Sequence, residues 1–222
     1  ESLIDKHPHN DWLLLLSTRP MQEWFQLRGE FALVAGTRFE GIHLPAIDIA
    51  SYAAGVHAAH TLFGLGHRQL VLFTPSVFNA GVLATGAGLR QAMSRARYAV
   101  ANMVVVMCNE ETTDICRAVD RVLAEAVRPT VLIGAKTASM LTAFSHLMRL
   151  GLRVPHDVSL LSIEWEPYLD MVVPRIARYE MSPERLARQI ARVILRRSTG
   201  NAEASYIIPE FVPGASLRRL TV

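Results

Sequence analysis

The chain has 222 residues, half of them hydrophobic and 19% charged, which suffices for one large domain or two small lobes and is too apolar for disorder. Its 23 basic and 20 acidic residues leave a net charge of +3, an excess too small and too scattered to argue for nucleic-acid binding by this chain alone. The longest apolar run, Trp12 to Leu16, is far too short to span a bilayer, and two cysteines, Cys108 and Cys116, are too few for a disulfide scaffold or a cysteine-based zinc site.

The opening stretch from Glu1 to Asn10 is polar, with no basic segment leading into an apolar one. No signal peptide is therefore expected, and the scarcity of cysteine fits a reducing, cytoplasmic setting. Strands are predicted at Trp12–Leu16 and Phe31–Ala35, then a helix over Ser51–Leu65 that Gly66 ends in the place of a left-handed cap. A strand at Gln69–Thr74 follows, a helix at Ala80–Arg95, a strand at Met103–Met107 and a helix at Thr112–Ala126. Next come a strand at Thr130–Gly134, a helix at Ala138–Leu150 stopped by Gly151, and a strand at Val158–Ile163. Each strand is apolar on both faces, as a parallel strand covered by helices requires. Each helix places apolar residues at i, i+3, i+4 and i+7. Ser182-Pro183-Glu184 reads as cap, first-turn proline and first-turn acid of a last helix, running to about Arg197 and ended by Ser198 to Asn201. The repeated β-α-β-α order predicts a doubly wound α/β fold.

Three segments carry a family resemblance. They are Ala53-Ala54-Gly55 with Leu62-Phe63-Gly64-Leu65-Gly66-His67-Arg68-Gln69-Leu70, Gly151-Leu152-Arg153-Val154-Pro155-His156-Asp157-Val158-Ser159, and Ile207-Ile208-Pro209-Glu210-Phe211-Val212, supplemented by Gly88-Leu89 with Ala92-Met93. In this order and spacing, from about Asp11 to Ser216, the chain resembles the effector-binding domain of the lactose/galactose repressor (LacI/GalR) family. The resemblance implies two doubly wound lobes of periplasmic-binding-protein type I architecture, joined by three chain crossings near Ile49, Met181 and Ser205. The N-terminal lobe would comprise residues 1–49 plus 182–205 and the C-terminal lobe 50–181 plus 206–222. The first lobe is then truncated at its N-terminus by a strand, a helix and a further strand, leaving an unpaired edge at Trp12–Leu16 and Phe31–Ala35. The family's DNA-binding headpiece is absent from this chain.

The resemblance also places the cleft. The family's sugar-holding Arg falls on Thr85, its Asn-Asp pair on Lys136-Thr137, its later Asp pair on Glu164-Trp165, its first-lobe Asp on Thr37, and its Asp at the first crossing on Ala50, with Asp48 nearby. Thr37, Thr85, Lys136, Thr137, Glu164 and Trp165 are thus the expected effector-binding residues. Plainer readings stand beside these: Thr85 and Thr137 as helix caps, Lys136 as a solvated loop lysine, Glu164-Trp165-Glu166 as a surface turn. Losing the Arg and several acids removes paired grips on vicinal hydroxyls, Lys136 adds a point charge that favours an anion, and Trp165 offers a flat face for stacking. A carboxylated or phosphorylated carbohydrate, or no small-molecule effector at all, is expected over a plain hexose.

Nothing points to catalysis, a metal or a cofactor. His57, His60 and His67 do not share a helix face, because Gly66 ends the helix before His67. Asp48, Ser51 and His60 lack a nucleophile elbow. Gly86-Ala87-Gly88 lies inside a predicted helix and lacks the third glycine of a dinucleotide loop. The expected function is ligand sensing in a bacterial transcription regulator, with effector-dependent lobe closure controlling operator DNA through the headpiece. The alternative is a secreted solute-binding protein of the same fold. A homodimer is expected, with Met140, Phe144, Met148 and Met171 in segments that could supply the interface or equally be core.

Overall fold

The computed structural model describes residue 6 and residues 11–77, 79–95, 101–196 and 205–220. It contains two sheets. The first is four-stranded and parallel, in the order β1 (Trp12–Leu15), β2 (Ala32–Ala35), β3 (Ala46–Ile49), β9 (Ser205–Ile207). The second has the order β10 (Glu210–Val212), β8 (Ala177–Glu180), β7 (Ser159–Ser162), β6 (Val131–Gly134), β4 (Gln69–Pro75), β5 (Asn102–Cys108). Only β10 runs antiparallel to its neighbour. Helices α1 (Arg19–Arg28), α2 (Ser51–Gly64), α3 (Ala80–Arg95), α4 (Thr112–Leu123), α5 (Thr137–Arg149) and α6 (Pro183–Arg196) complete a mixed α/β architecture.

Period-two alternation in β4 explains why the second sheet is covered on both faces. Val71 and Phe73 point to the layer that holds Ile115 and Val119 of α4 and Met140 and Leu147 of α5. Leu70 and Leu72 point to the opposite layer, with Ala58 and Leu62 of α2 and Leu89 of α3. There α2 and α3 touch backbone to backbone: a Cβ on Gly55 would overlap the Thr85 carbonyl, and one on Gly88 the Tyr52 carbonyl. This is the physical content of the Ala-Ala-Gly and Gly-Leu segments. The predicted caps Gly66 and Gly151 adopt φ of +92° and +74°.

His67 is fully buried. Its Nε2 lies 3.1 Å from the Arg218 carbonyl oxygen and its Nδ1 3.0 Å from Thr130 Oγ1. The carbonyl can only accept, so Nε2 carries the proton and Nδ1 is left as an acceptor facing Thr130 Oγ1, whose one proton is shared with the Gln69 carbonyl at 3.1 Å. Burial lowers the imidazole pKa to about 4 and keeps it neutral. The Gly-His-Arg segment is therefore architecture: it clasps the C-terminal segment to the second sheet.

Several expectations need correction. The sequence reading passed over α1, β3, β8, β9 and β10. Helix α1 was signalled by Thr18 ahead of a first-turn proline and by Gly29 in a left-handed cap at φ +68°. Strand β2 is paired on both sides, so of these two strands only β1 lies at a sheet edge, where Leu13 and Leu15 are exposed. Tyr206 and Ile207, expected in the second lobe, pair with β3 in the first sheet, so the chain leaves the first sheet between Ile207 and Glu210. Met140 and Phe144 are core residues of the α5 layer and cannot supply an interface. The expected end of the last helix at Ser198 to Asn201 lies outside the described residues.

Candidate functional site

Parallel strands that share a direction deliver their following loops and helix starts to one end of the sheet, and open α/β folds bind ligands there. Here the ends of both sheets face one cavity of about 260 Å³. Val34, Thr37 and Ile49 wall it from the first sheet, Gly81, Lys136 and Trp165 from the second, and Met181 and Pro209 from the segments that cross between them. Ser51, Gly81 and Lys136 mark the starts of α2, α3 and α5, so three positive helix ends border the space.

Of the six residues expected from sequence, Thr37, Thr85, Lys136, Glu164 and Trp165 line this cavity, whereas Thr137 does not. Thr137 is buried and contributes through its backbone, whose N–H donates to Glu164 Oε2 at 3.1 Å. The helix start is thus capped by a carboxylate from the next strand, and Thr137 is not its cap. The other carboxylate oxygen, Oε1, lies 2.8 Å from Lys136 Nζ. Lys136 is therefore neither a solvated loop lysine nor a free charge for an anion: Glu164 takes it up.

Thr85 is buried too, its hydroxyl 3.0 Å from the Gly81 carbonyl and 3.3 Å from that of Ser51. It ties α3 to the start of α2. Thr37 Oγ1 donates to Asp48 Oδ1 at 2.8 Å. Burial raises the Asp48 pKa, opposed by that hydrogen bond and by the charge of Arg38. A Cβ on Gly81 would lie near Ser51 Oγ, Asn79 Oδ1 and Thr37 Oγ1, so three neutral polar groups converge on one corner of the cavity.

Trp165 is half-buried, and its indole N–H donates to Asp170 Oδ2 at 3.3 Å. Asp170 Oδ1 in turn receives Arg175 at 3.0 Å and the buried Arg178 at 2.6 Å, and Arg178 Nε also reaches Glu180 Oε1 at 2.6 Å. The Arg175 hydrogen bond, with those of Trp165 and the charge of Arg178, holds the Asp170 carboxyl below its usual range. The indole is thus fixed by a chain of charges that ends at the second crossing.

Sequence reasoning missed Asn79, Tyr179, Met181 and Pro209 in the cavity wall. Asn79 was legible as a capping residue, and its Oδ1 does accept from Val82 N at 2.9 Å. Tyr179 carried no local signal; its hydroxyl lies 2.6 Å from His57 Nδ1, and burial raises its pKa. Among the described residues, no three His, Cys, Asp or Glu side chains gather to hold a metal ion, and no helix is long and apolar enough to cross a membrane.

A family model described as a periplasmic binding protein-like domain matches residues 59–217. Among curated proteins, the chain is similar to the HTH-type transcriptional repressor PurR of Haemophilus influenzae, with 24% identity over 196 residues, covering 87% of this chain and 58% of that protein. It is also similar to the PurR repressor of Vibrio cholerae, with 23% identity over 185 residues, covering 82% of this chain and 55% of that protein. The chain thus spans little more than half the length of these relatives. Among solved structures, a transcription regulator-like protein from Staphylococcus haemolyticus superposes with a TM-score of 0.85 at 17% identity, covering 99% of this chain and 79% of that one. A LacI family transcriptional regulator from Enterococcus faecium with bound ribose superposes with a TM-score of 0.77 at 17% identity, covering 94% and 80%. At such identities these structures speak to the fold.

Proposed function

Since the chain belongs to the periplasmic binding protein-like domain family, we propose that it is the ligand-sensing domain of a LacI-type transcription regulator, and that effector-dependent closure of its two lobes controls operator DNA. One observation carries this reading: the cavity is walled by both sheets and by the crossings between them. A molecule that fills it touches both bodies at once and therefore favours the arrangement in which they are close. The similar repressors support a regulator over a secreted solute-binding protein, and with it a cytoplasmic, non-catalytic role.

The effector this site fits is small and neutral. Lys136 and Glu164 cancel one another, and the remaining polar groups are hydroxyls and an amide among apolar walls. The anion expected from Lys136 alone is set aside on that ground. A plain sugar fits the hydroxyl corner and the Trp165 face, and the ribose in the Enterococcus faecium regulator supports that class. Calorimetry with ribose, neutral hexoses, sugar acids and sugar phosphates tests this, with small-angle scattering to read closure. Neutral-sugar binding that compacts the protein and weakens in Trp165→Ala is the expected result. Binding without compaction overturns the closure mechanism.

The regulator is further proposed to act as a homodimer, so that its symmetry matches paired half-sites. Met148 and Met171 remain as exposed apolar candidates for the contact, now with Val173. A monomer in sedimentation at tens of micromolar protein argues against it.

A further inference from the structure

Helix α6 is strongly two-faced. Leu186, Ile190, Val193 and Ile194 pack onto the first sheet beside Leu33, Ile47 and Ile207. Arg185, Arg188 and Arg192 recur at i, i+3 and i+7, lie on the opposite face and are exposed. Their Cα atoms span about 10 Å along the axis at 1.5 Å per residue. Glu184, the acid nearest to them in sequence, accepts from Ser182 Oγ at 2.6 Å, and the charge of Arg188 helps to lower its pKa. Among the described residues none of the three arginines forms an ion pair with a carboxylate; Arg188 Nε donates to the Glu184 carbonyl.

We propose that this arginine row is a docking surface for the phosphate backbone of duplex DNA. It would be a sequence-independent contact made by the ligand-sensing domain itself, in addition to whatever reads the operator's bases. The proposal rests on the regulator reading for its choice of occupant, while the arginine row itself stands on geometry. Three arguments favour nucleic acid as the occupant. Guanidinium groups pair with phosphate oxygens bidentately and shed water more readily than ammonium groups. A packed helix holds the row rigid and its three guanidinium groups within about 10 Å, which suits the dense, regular charge of a duplex, one phosphate per 3.4 Å of axis on each strand. Curated proteins similar in sequence include transcriptional repressors. An acidic polypeptide has no such regular spacing before it binds.

The test uses the 222-residue chain and a fluorescent duplex of arbitrary sequence, titrated across salt. Two triple variants remove the same net charge. One is Arg185→Gln/Arg188→Gln/Arg192→Gln; the other is Arg117→Gln/Arg121→Gln/Arg128→Gln, three arginines exposed on the second lobe. All six positions are exposed, so both variants should fold, which circular dichroism checks. The expected result is that the α6 variant loses at least tenfold in affinity at low salt. The slope of log affinity against log salt should fall by about 2 to 3, at roughly 0.9 per phosphate contact, while the second variant changes little. Equal losses in both variants, or no duplex binding by the parent chain, overturn the proposal. Competition by polyglutamate as effective per charge as duplex also overturns it, in favour of an acidic protein partner.

Discussion

Lys136 and Glu164 lie 28 residues apart in the chain and meet at 2.8 Å across the entrance to α5. Their contact follows from strand register. Gly134 of β6 pairs with Ser162 of β7, and each charged residue stands two positions beyond its paired strand end. The pair cancels the one lysine charge in the cavity wall while its carboxylate caps a helix.

Glu164→Gln should release Lys136 without emptying the site. A sugar phosphate is then expected to gain on its parent sugar by about tenfold, the worth of roughly one charge-assisted hydrogen bond. Loss of the anion at the α5 start should cost about 0.5–1 kcal/mol of stability. Paired calorimetric titrations read the first effect and chemical denaturation the second. Unchanged selectivity would mean that Lys136 does not face the ligand.

His67 gives a pH dependence with a definite sign. Its folded pKa of about 4 lies below the ordinary histidine value of 6.5, so the unfolded chain binds the proton more readily. Stability contributed by the neutral ring is whole above pH 6.5 and is lost as pH falls from there towards 4. Between pH 8 and pH 5 the loss from this group should be about 2 kcal/mol. His67→Phe should be less stable at pH 8 and show a shallower acid slope in urea denaturation. A parallel acid slope would assign the effect elsewhere.

Gly88→Ala should be costly despite the better helix propensity of alanine. The added methyl has no room against the Tyr52 carbonyl, and backbone cannot swing aside as a side chain can. Forcing α2 and α3 apart is expected to cost about 1–3 kcal/mol or more. Gly64→Ala, where nothing lies within 4 Å, is the control and should be neutral or mildly stabilising. Thermal melts of the two variants compare them directly.

Removing the buried guanidinium in Arg178→Met leaves Asp170 and Glu180 without their shared partner. These acids are 37% and 29% exposed, so water relieves part of the penalty. The cost should be about 1–3 kcal/mol, below that of a fully buried charge. Freed from its anchor, Asp170 should hold the Trp165 indole less firmly, which acrylamide quenching of tryptophan fluorescence measures against a Trp165→Phe background. Equal quenching with and without Arg178 would separate the two ends of the network.

The sequence by itself determined the strand and helix alternation of the second lobe. Leu70 to Phe73 is apolar at every position because both faces are covered, and the neighbouring helices repeat their apolar residues at the helical period. It also marked the cavity wall at Thr37, Thr85, Lys136, Glu164 and Trp165, through strand ends and family spacing. It missed α1, whose apolar face rests on little more than Trp24 and Phe25, and the short strands β3, β8, β9 and β10, three or four residues each. The predicted strands β1, β2, β6 and β7 are no longer than these, but Asp48, Arg178, Glu180 and Glu210 break the apolar run that marks a buried strand. What those residues do was decided only by the tertiary structure. Lys136 reads as a free cation until register brings Glu164 beside it, Thr85 reads as a ligand contact until α2 and α3 close over it, and Met140 reads as an interface until α5 turns it inward. Charge and exposure belong to neighbours in space, and for these residues every deciding neighbour is far away along the chain.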